Sequence, residues 1–216
     1  EVASLGTNTA PHAVSLRNSA LHWNGHSQSS ANLASNTNAS FCAVDLNGDF
    51  TEDFVLLTEK GLTIFLQDNQ GQLTNFVPSE ELRSVFTQGG HGIWAFDYEA
   101  DGDLDLLISQ TAINSRVLRN NGDIGTVATG RAPTAFTPIG MPGFPELRDI
   151  CWADFDADGD NDLALLTTDN RVLVSWNDRA GSFTQPAPIS ETTVRAITYG
   201  NVSATGEMAL ITFEAN

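Results

Sequence analysis

The chain of 216 residues has little cysteine and little positive charge, and each shortage excludes something. Its 2 cysteines cannot build a disulfide framework. Cys42 and Cys151 each stand three residues before an acidic loop, so they hold equivalent places in separate repeats and should remain apart as buried free thiols. Positive charge is scarce: 10 Lys and Arg face 27 Asp and Glu, giving a net charge of −17. A chain so acidic repels a polyanion, which excludes nucleic acid as a partner. No apolar run reaches the roughly 18 residues of a membrane span, and Glu1-Val2-Ala3 does not open a signal peptide. No segment sustains a 3.6-residue apolar stripe, so helices should be few. His12, His22, His26 and His91 are scattered without metal-ligand spacing, and no Ser-His-Asp signature, phosphate loop or haem motif occurs. Glu80, Glu81 and Glu146 lack any context that would mark a glycosidase pair. The sequence reads as that of a non-enzyme.

What the chain does have is order among its acids. Asp154-Phe155-Asp156-Ala157-Asp158-Gly159-Asp160-Asn161-Asp162 places acids at the first, third, fifth and ninth slots and glycine at the sixth. A hard cation such as Ca²⁺ takes about six to eight oxygens at about 2.3–2.6 Å, and a loop with acids on alternate residues can wrap one. The apolar run Leu163-Ala164-Leu165-Leu166 follows at once. The pattern recurs as Asp97-Tyr98-Glu99-Ala100-Asp101-Gly102-Asp103-Leu104-Asp105 before Leu106-Leu107-Ile108. It recurs again as Asp45-Leu46-Asn47-Gly48-Asp49-Phe50-Thr51-Glu52-Asp53 before Phe54-Val55-Leu56-Leu57. Eleven of the 27 acids occupy side-chain slots of these loops, and three Ca²⁺ ions would bring the charge from −17 to −11. A metal-free acidic turn is the bland alternative. It leaves several carboxylates repelling within one turn, and three loops in one register argue against it. An EF-hand is excluded, because its twelfth slot needs a bidentate acid and these loops have Leu56, Ile108 and Leu165 there.

The loops are not equal. Glu99 carries an extra methylene in the third slot of the second loop. The first has Asn47 in the third slot and Phe50 in the sixth, where a positive φ would strain a phenylalanine. A fourth, decayed loop, Tyr199, Asn201, Ser203 and Glu207, is expected to bind nothing.

Loop starts at 45, 97, 154 and 199 are 52, 57 and 45 residues apart, with about four short strand-like segments in each interval. Such a period predicts an all-β chain of β-propeller blades, each a four-stranded antiparallel sheet that cannot bury both faces alone. The boundaries read as partial blade strands over 1–39, a blade over 40–91, a blade over 92–148 with an insertion at 123–148, a blade over 149–193, and a partial blade over 194–216. Ser19 to Gly25 reads as one strand of the incomplete first unit. The insertion is rich in glycine and proline, the kind of loop on which binding often sits. Trp23, Trp94, Trp152 and Trp176 are candidates for stacking on sugars, with core packing the reading preferred.

These repeats resemble the FG-GAP/VCBS repeats of integrin-α-type β-propellers, including bacterial secreted proteins that carry them. Arg116-Val117-Leu118-Arg119-Asn120-Asn121-Gly122 also resembles the strand and turn that follow such loops. The resemblance covers roughly residues 40–213. It implies structural Ca²⁺ in a loop between the first and second strands of each blade. Carried over, the ligands are Asp45, Asn47, Asp49, the Thr51 carbonyl and Asp53; Asp97, Glu99, Asp101, the Asp103 carbonyl and Asp105; and Asp154, Asp156, Asp158, the Asp160 carbonyl and Asp162. It further implies a secreted or cell-surface protein acting in protein interaction, adhesion or assembly. A glycan-binding lectin and a non-catalytic propeller attached to an extracellular enzyme are the alternatives. Propellers of this family usually have more blades than the three full copies here. Either the chain is part of a larger protein, or its ends combine, with 194–213 giving two strands of a blade and 13–36 the other two. Such pairing would close a four-bladed ring within one chain or link subunits by a shared blade.

Overall fold

Apolar runs uninterrupted by polar residues are the strands that both neighbours cover. The computed structural model describes residues 14–17, 20–23, 26–29, 40–110, 115–122, 124, 135–202, 204 and 207–214. Its first sheet is antiparallel, β1 (Val14–Arg17), β2 (Ala20–Trp23) and β3 (His26–Ser29) in that order. β2 falls on the strand expected at 19–25, and β1 and β3 pair with it on either side.

Three four-stranded antiparallel sheets follow. The first is β4 (Ser40–Val44), β5 (Asp53–Thr58), β6 (Gly61–Gln67) and β7 (Leu73–Asn75). A four-residue helix, α1 (Arg83–Phe86), is the only helix among the described residues. The second sheet is β8 (Gly90–Phe96), β9 (Asp105–Gln110), β10 (Arg116–Asn120) and β11 (Phe136–Gly140). The third is β12 (Leu147–Ala153), β13 (Asp162–Thr167), β14 (Val172–Ser175) and β15 (Ala187–Pro188). A two-stranded sheet, β16 (Val194–Asn201) and β17 (Met208–Glu214), ends the described chain.

Two expectations are corrected here. Part of the proline-rich insertion is β11, the outer strand of its sheet, where Pro138 stands opposite Leu118. An outer strand tolerates proline because its missing N–H removes no inner ladder bond. Residues 123 and 125–134 of the insertion lie outside the described residues. Second, the decayed loop is shorter than expected. Tyr199 and Asn201 belong to β16, paired with Leu210 and Met208, so they cannot serve as loop slots.

The second strand of each four-stranded sheet, β5, β9 or β13, is buried along all six residues. Alternation explains it. Leu106 and Ile108 point into a cluster with Val55, Leu57 and Ile64 of the preceding sheet, while Leu107 joins Leu163 and Leu165 of the following one. Ala164 and Leu166 likewise meet Val194 and Ile197 of the last sheet. Leu21 of the first sheet packs on Phe54, Leu56 and Phe65. The first strands β4, β8, β12 and β16 lie side by side in that order. The sheets therefore stack in chain order, and no strand pairing among the described residues joins β17 to residues 14–29. Among the described residues, the blade shared by the two ends, one of the readings of the sequence, is not seen.

Cys42, partly buried rather than buried as expected, and Cys151, buried, are free and sit on β4 and β12 opposite Val55 and Ala164. Burial pushes the Cys42 thiol up to about 12 and the Cys151 thiol up to about 11. Since the thiolate is the nucleophile, iodoacetamide at pH 8 should label both at least ~100-fold more slowly in the folded protein than in urea. Mass spectrometry of the labelled peptides measures this, and equal rates would refute the burial of these thiols.

Candidate metal centre

The three loops share one backbone, drawn by the carboxylate at the first slot. The Asp45 carboxylate accepts the Gly48 and Phe50 N–H groups, each at 2.8 Å. Asp97 accepts from Asp101 at 3.2 Å and Gly102 at 3.0 Å, and Asp154 accepts from Asp158 and Gly159, both at 3.1 Å. The fifth-slot acid then accepts the seventh-slot N–H, from Thr51 to Asp49 at 2.9 Å and, at 3.0 Å each, from Asp103 to Asp101 and Asp160 to Asp158. These are the short-range bonds that Asp side chains offer to turns.

Two slots adopt the left-handed conformation, the sixth as expected and the fourth besides. Their φ values are +69° at Gly48 and +66° at Phe50, +59° at Ala100 and +95° at Gly102, and +63° at Ala157 and +99° at Gly159. Each loop thus has one glycine for two left-handed places. In the first loop the glycine serves the fourth slot, and Phe50 takes the strained sixth with its side chain 96% exposed. An L-residue held there costs about 1–2 kcal/mol.

The ninth-slot acid is a brace as well as a candidate ligand. Asp53 accepts the Leu46 N–H at 3.1 Å and the Gln67 N–H at 2.8 Å. Asp105 accepts those of Tyr98 and Asn120, both at 2.6 Å, and Asp162 those of Phe155 and Asn177, both at 2.9 Å. Each carboxylate ties the second slot of its loop to the last residue of the third strand or, in the third sheet, to the residue two beyond it. The second-slot side chains, Leu46, Tyr98 and Phe155, pack into the clusters between sheets. The sequence carried this signal as an apolar residue at every second slot.

The third loop gathers its acids. Ligand oxygens of Asp154, Asp156 and Asp162 all lie within 4.8 Å of one another. Asp158 stands outside that group, and the Asp160 side chain turns to Arg179, 3.8 Å away, which leaves its carbonyl for the loop. No other group of three acids, cysteines or histidines converges in this way among the described residues. In the second loop Glu99 is turned toward Arg119 at 3.5 Å, and its Oε2 is buried without a partner. In the first, Asn47 Nδ2 donates to Asp49 at 3.2 Å and the Thr51 hydroxyl bonds to the same carboxylate. Asp45 and Asp53 thus lack the third-slot acid that completes the group in the third loop, and Asp97 and Asp105 do not gather with Glu99.

The residues fit a hard cation. Burial pushes the Asp53 and Asp105 carboxyls up to about 7 and raises Asp162 as well, against the pull of their N–H donors. Among the described residues no Lys, Arg or His forms an ion pair with any of the three. Buried carboxylates without a positive partner suit a divalent ion, and an all-oxygen donor set of Asp, Asn, Glu and backbone carbonyls suits Ca²⁺ or Mg²⁺ rather than zinc. Trp94 and Trp152, the sugar-stacking candidates on first strands, pack against the cluster between the second and third four-stranded sheets.

A family model described as an FG-GAP-like repeat matches residues 45–108 and 154–205. The fold is similar to part of a chain in the Photorhabdus luminescens Tc holotoxin pore, with a TM-score of 0.52 and 18% sequence identity. That likeness covers 98% of this chain and 11% of the toxin chain, so this chain spans about a tenth of the toxin chain's length. No curated protein matches the sequence. The matched stretches begin on the first and third acidic loops and take in more than half of the residues, and the chain belongs to the FG-GAP-like repeat family.

Proposed function

We propose that the loops at Asp45, Asp97 and Asp154 bind Ca²⁺ and that the chain is a calcium-stabilised, non-catalytic module of a secreted or cell-surface protein. Its work is protein interaction, adhesion or extracellular assembly, with a protein or a glycan at the cell surface as partner. The observation that carries the reading is the convergence of Asp154, Asp156 and Asp162 in a loop whose backbone is repeated twice more. Loops of this kind in extracellular modules bind in the range of about 10⁻⁴–10⁻³ M, matched to external calcium. The exposed ring of Phe50 beside the first loop supports a recognition role, because aromatic side chains are enriched where partners meet.

Scanning calorimetry tests the calcium reading. At ten times the dissociation constant, each filled site should raise Tm by about 3 °C over the EDTA-treated protein. A melting temperature indifferent to EDTA and calcium would sink it.

A further inference from the structure

Three buried hydrogen bonds join the ninth-slot carboxylate of the first loop to that of the second. Asp53 Oδ2 accepts the Leu46 N–H at 3.1 Å, the Leu46 carbonyl accepts from Asn120 Nδ2 at 2.8 Å, and the Asn120 N–H donates to Asp105 Oδ1 at 2.6 Å. Asp53, Leu46, Asn120 and Asp105 are at most 3% exposed, so water does not compete for these bonds. Asn120 Nδ2 also donates to the Leu104 carbonyl, eighth slot of the second loop, at 3.3 Å. The Asn120 Oδ1 accepts the Gly122 N–H at 3.0 Å, which fixes the orientation of the amide. One carboxamide therefore holds two loops from different sheets at once.

The next junction is built differently. Asn177 is the counterpart of Asn120, donating its N–H to Asp162 at 2.9 Å and its Nδ2 to the Asn161 carbonyl at 3.2 Å. Both bonds stay within the third loop's own sheet. Contact with the second loop is made by the Tyr98 ring against Phe183, centroids 5.6 Å apart. An aromatic contact of this kind transmits no hydrogen-bond register.

We infer that Asn120 couples cation binding in the first two loops, so that they fill as a pair while the third fills on its own. This rests on the calcium reading above. A shift of the Asp53 carboxylate carries the Leu46 peptide with it, and the Leu46 carbonyl sets the amide that positions Asp105. Coupling is reciprocal, so filling either loop should raise the affinity of the other by about five-fold.

Each loop has a single glycine, and the amide resonances of Gly48, Gly102 and Gly159 report the three sites separately in a nitrogen–proton NMR titration of the metal-free protein with CaCl₂. Gly48 and Gly102 should move together along a curve steeper than a single-site isotherm, with Gly159 following its own simple isotherm. Asn120→Ala should leave Gly48 and Gly102 with independent single-site curves. Asn177→Ala should shift only the Gly159 midpoint, which separates coupling from general loosening. Should Asn120→Ala not fold, Asp45→Asn carries the test: it should weaken calcium at Gly102 about five-fold and leave Gly159 unchanged. Independent Gly48 and Gly102 curves in the unaltered protein, or a steep paired curve surviving in Asn120→Ala, would overturn the coupling alone. Loop resonances that ignore calcium altogether would overturn the calcium reading and the coupling with it.

Discussion

Replacing Asp105 by alanine is expected to cost about 3–5 kcal/mol of folding stability already in EDTA, before any calcium-dependent gain is lost. The Asp105 carboxylate is 1% exposed and accepts two backbone N–H groups, those of Tyr98 and Asn120, each at 2.6 Å. Without it both donors are left buried and unsatisfied, at about 1–3 kcal/mol each. Some of that loss is offset, because the folded protein no longer holds a carboxyl that burial pushes up to about 7. Asp105→Asn keeps an acceptor oxygen and sheds the charge, so it should lose roughly half as much. The exposed ligand candidates behave in the opposite way. Asp156→Ala should change stability in EDTA by no more than about 0.5 kcal/mol yet remove the third loop's share of the calcium-induced gain. Urea unfolding with and without calcium measures all three variants. If Asp105→Ala proved as harmless in EDTA as Asp156→Ala, the bracing role of the ninth slot would fall.

Gly61→Ala is the second substitution expected to be severe, at about 3 kcal/mol or more. Gly61 closes the turn from β5 to β6 at φ +133°, and a Cβ there would lie 2.1 Å from the Phe86 carbonyl oxygen and 3.2 Å from its carbon. Those are backbone atoms at the end of α1, so no rotamer change relieves the overlap. The same junction is close from the other side, where a Cβ on Gly89 would lie 2.1 Å from the Glu59 carbonyl oxygen. Gly71 provides the comparison, with φ +76° and nothing within 4 Å of its added Cβ. Gly71→Ala carries the dihedral penalty alone and should cost about 1–2 kcal/mol. Chemical denaturation of both variants separates steric overlap from backbone strain, and equal losses would remove the overlap argument.

The parts of the fold that were legible in the sequence are those where physics leaves few choices. Phe54-Val55-Leu56-Leu57 and its counterparts are buried on both faces, and an apolar run directly after an acidic loop has few other uses. The strain at Phe50 was legible because glycine held the sixth slot elsewhere. The left-handed fourth slot was not, since Ala100 and Ala157 are poor markers of positive φ. Tyr199 and Asn201 were misplaced because spacing alone does not reveal register, and the pairing of β16 with β17 shortens the loop between them. β11 was hidden behind prolines that an outer strand accepts. At the site, acids at alternate residues marked the loops, while the bracing role of the ninth slot and the reach of Asn120 into the neighbouring sheet depend on contacts between repeats. A single repeat does not encode them.

The alternation along β5, β9 and β13, with one set of side chains facing backward and the other forward, makes the molecule close to a linear array. In such an array stability is a sum over units and the junctions between adjacent units. A whole repeat could then be duplicated or excised by recombination with each surviving junction meeting apolar surface of the kind it met before. The backward-and-forward pleat of the middle strands thus gives this architecture a simple route to change in length over evolutionary time.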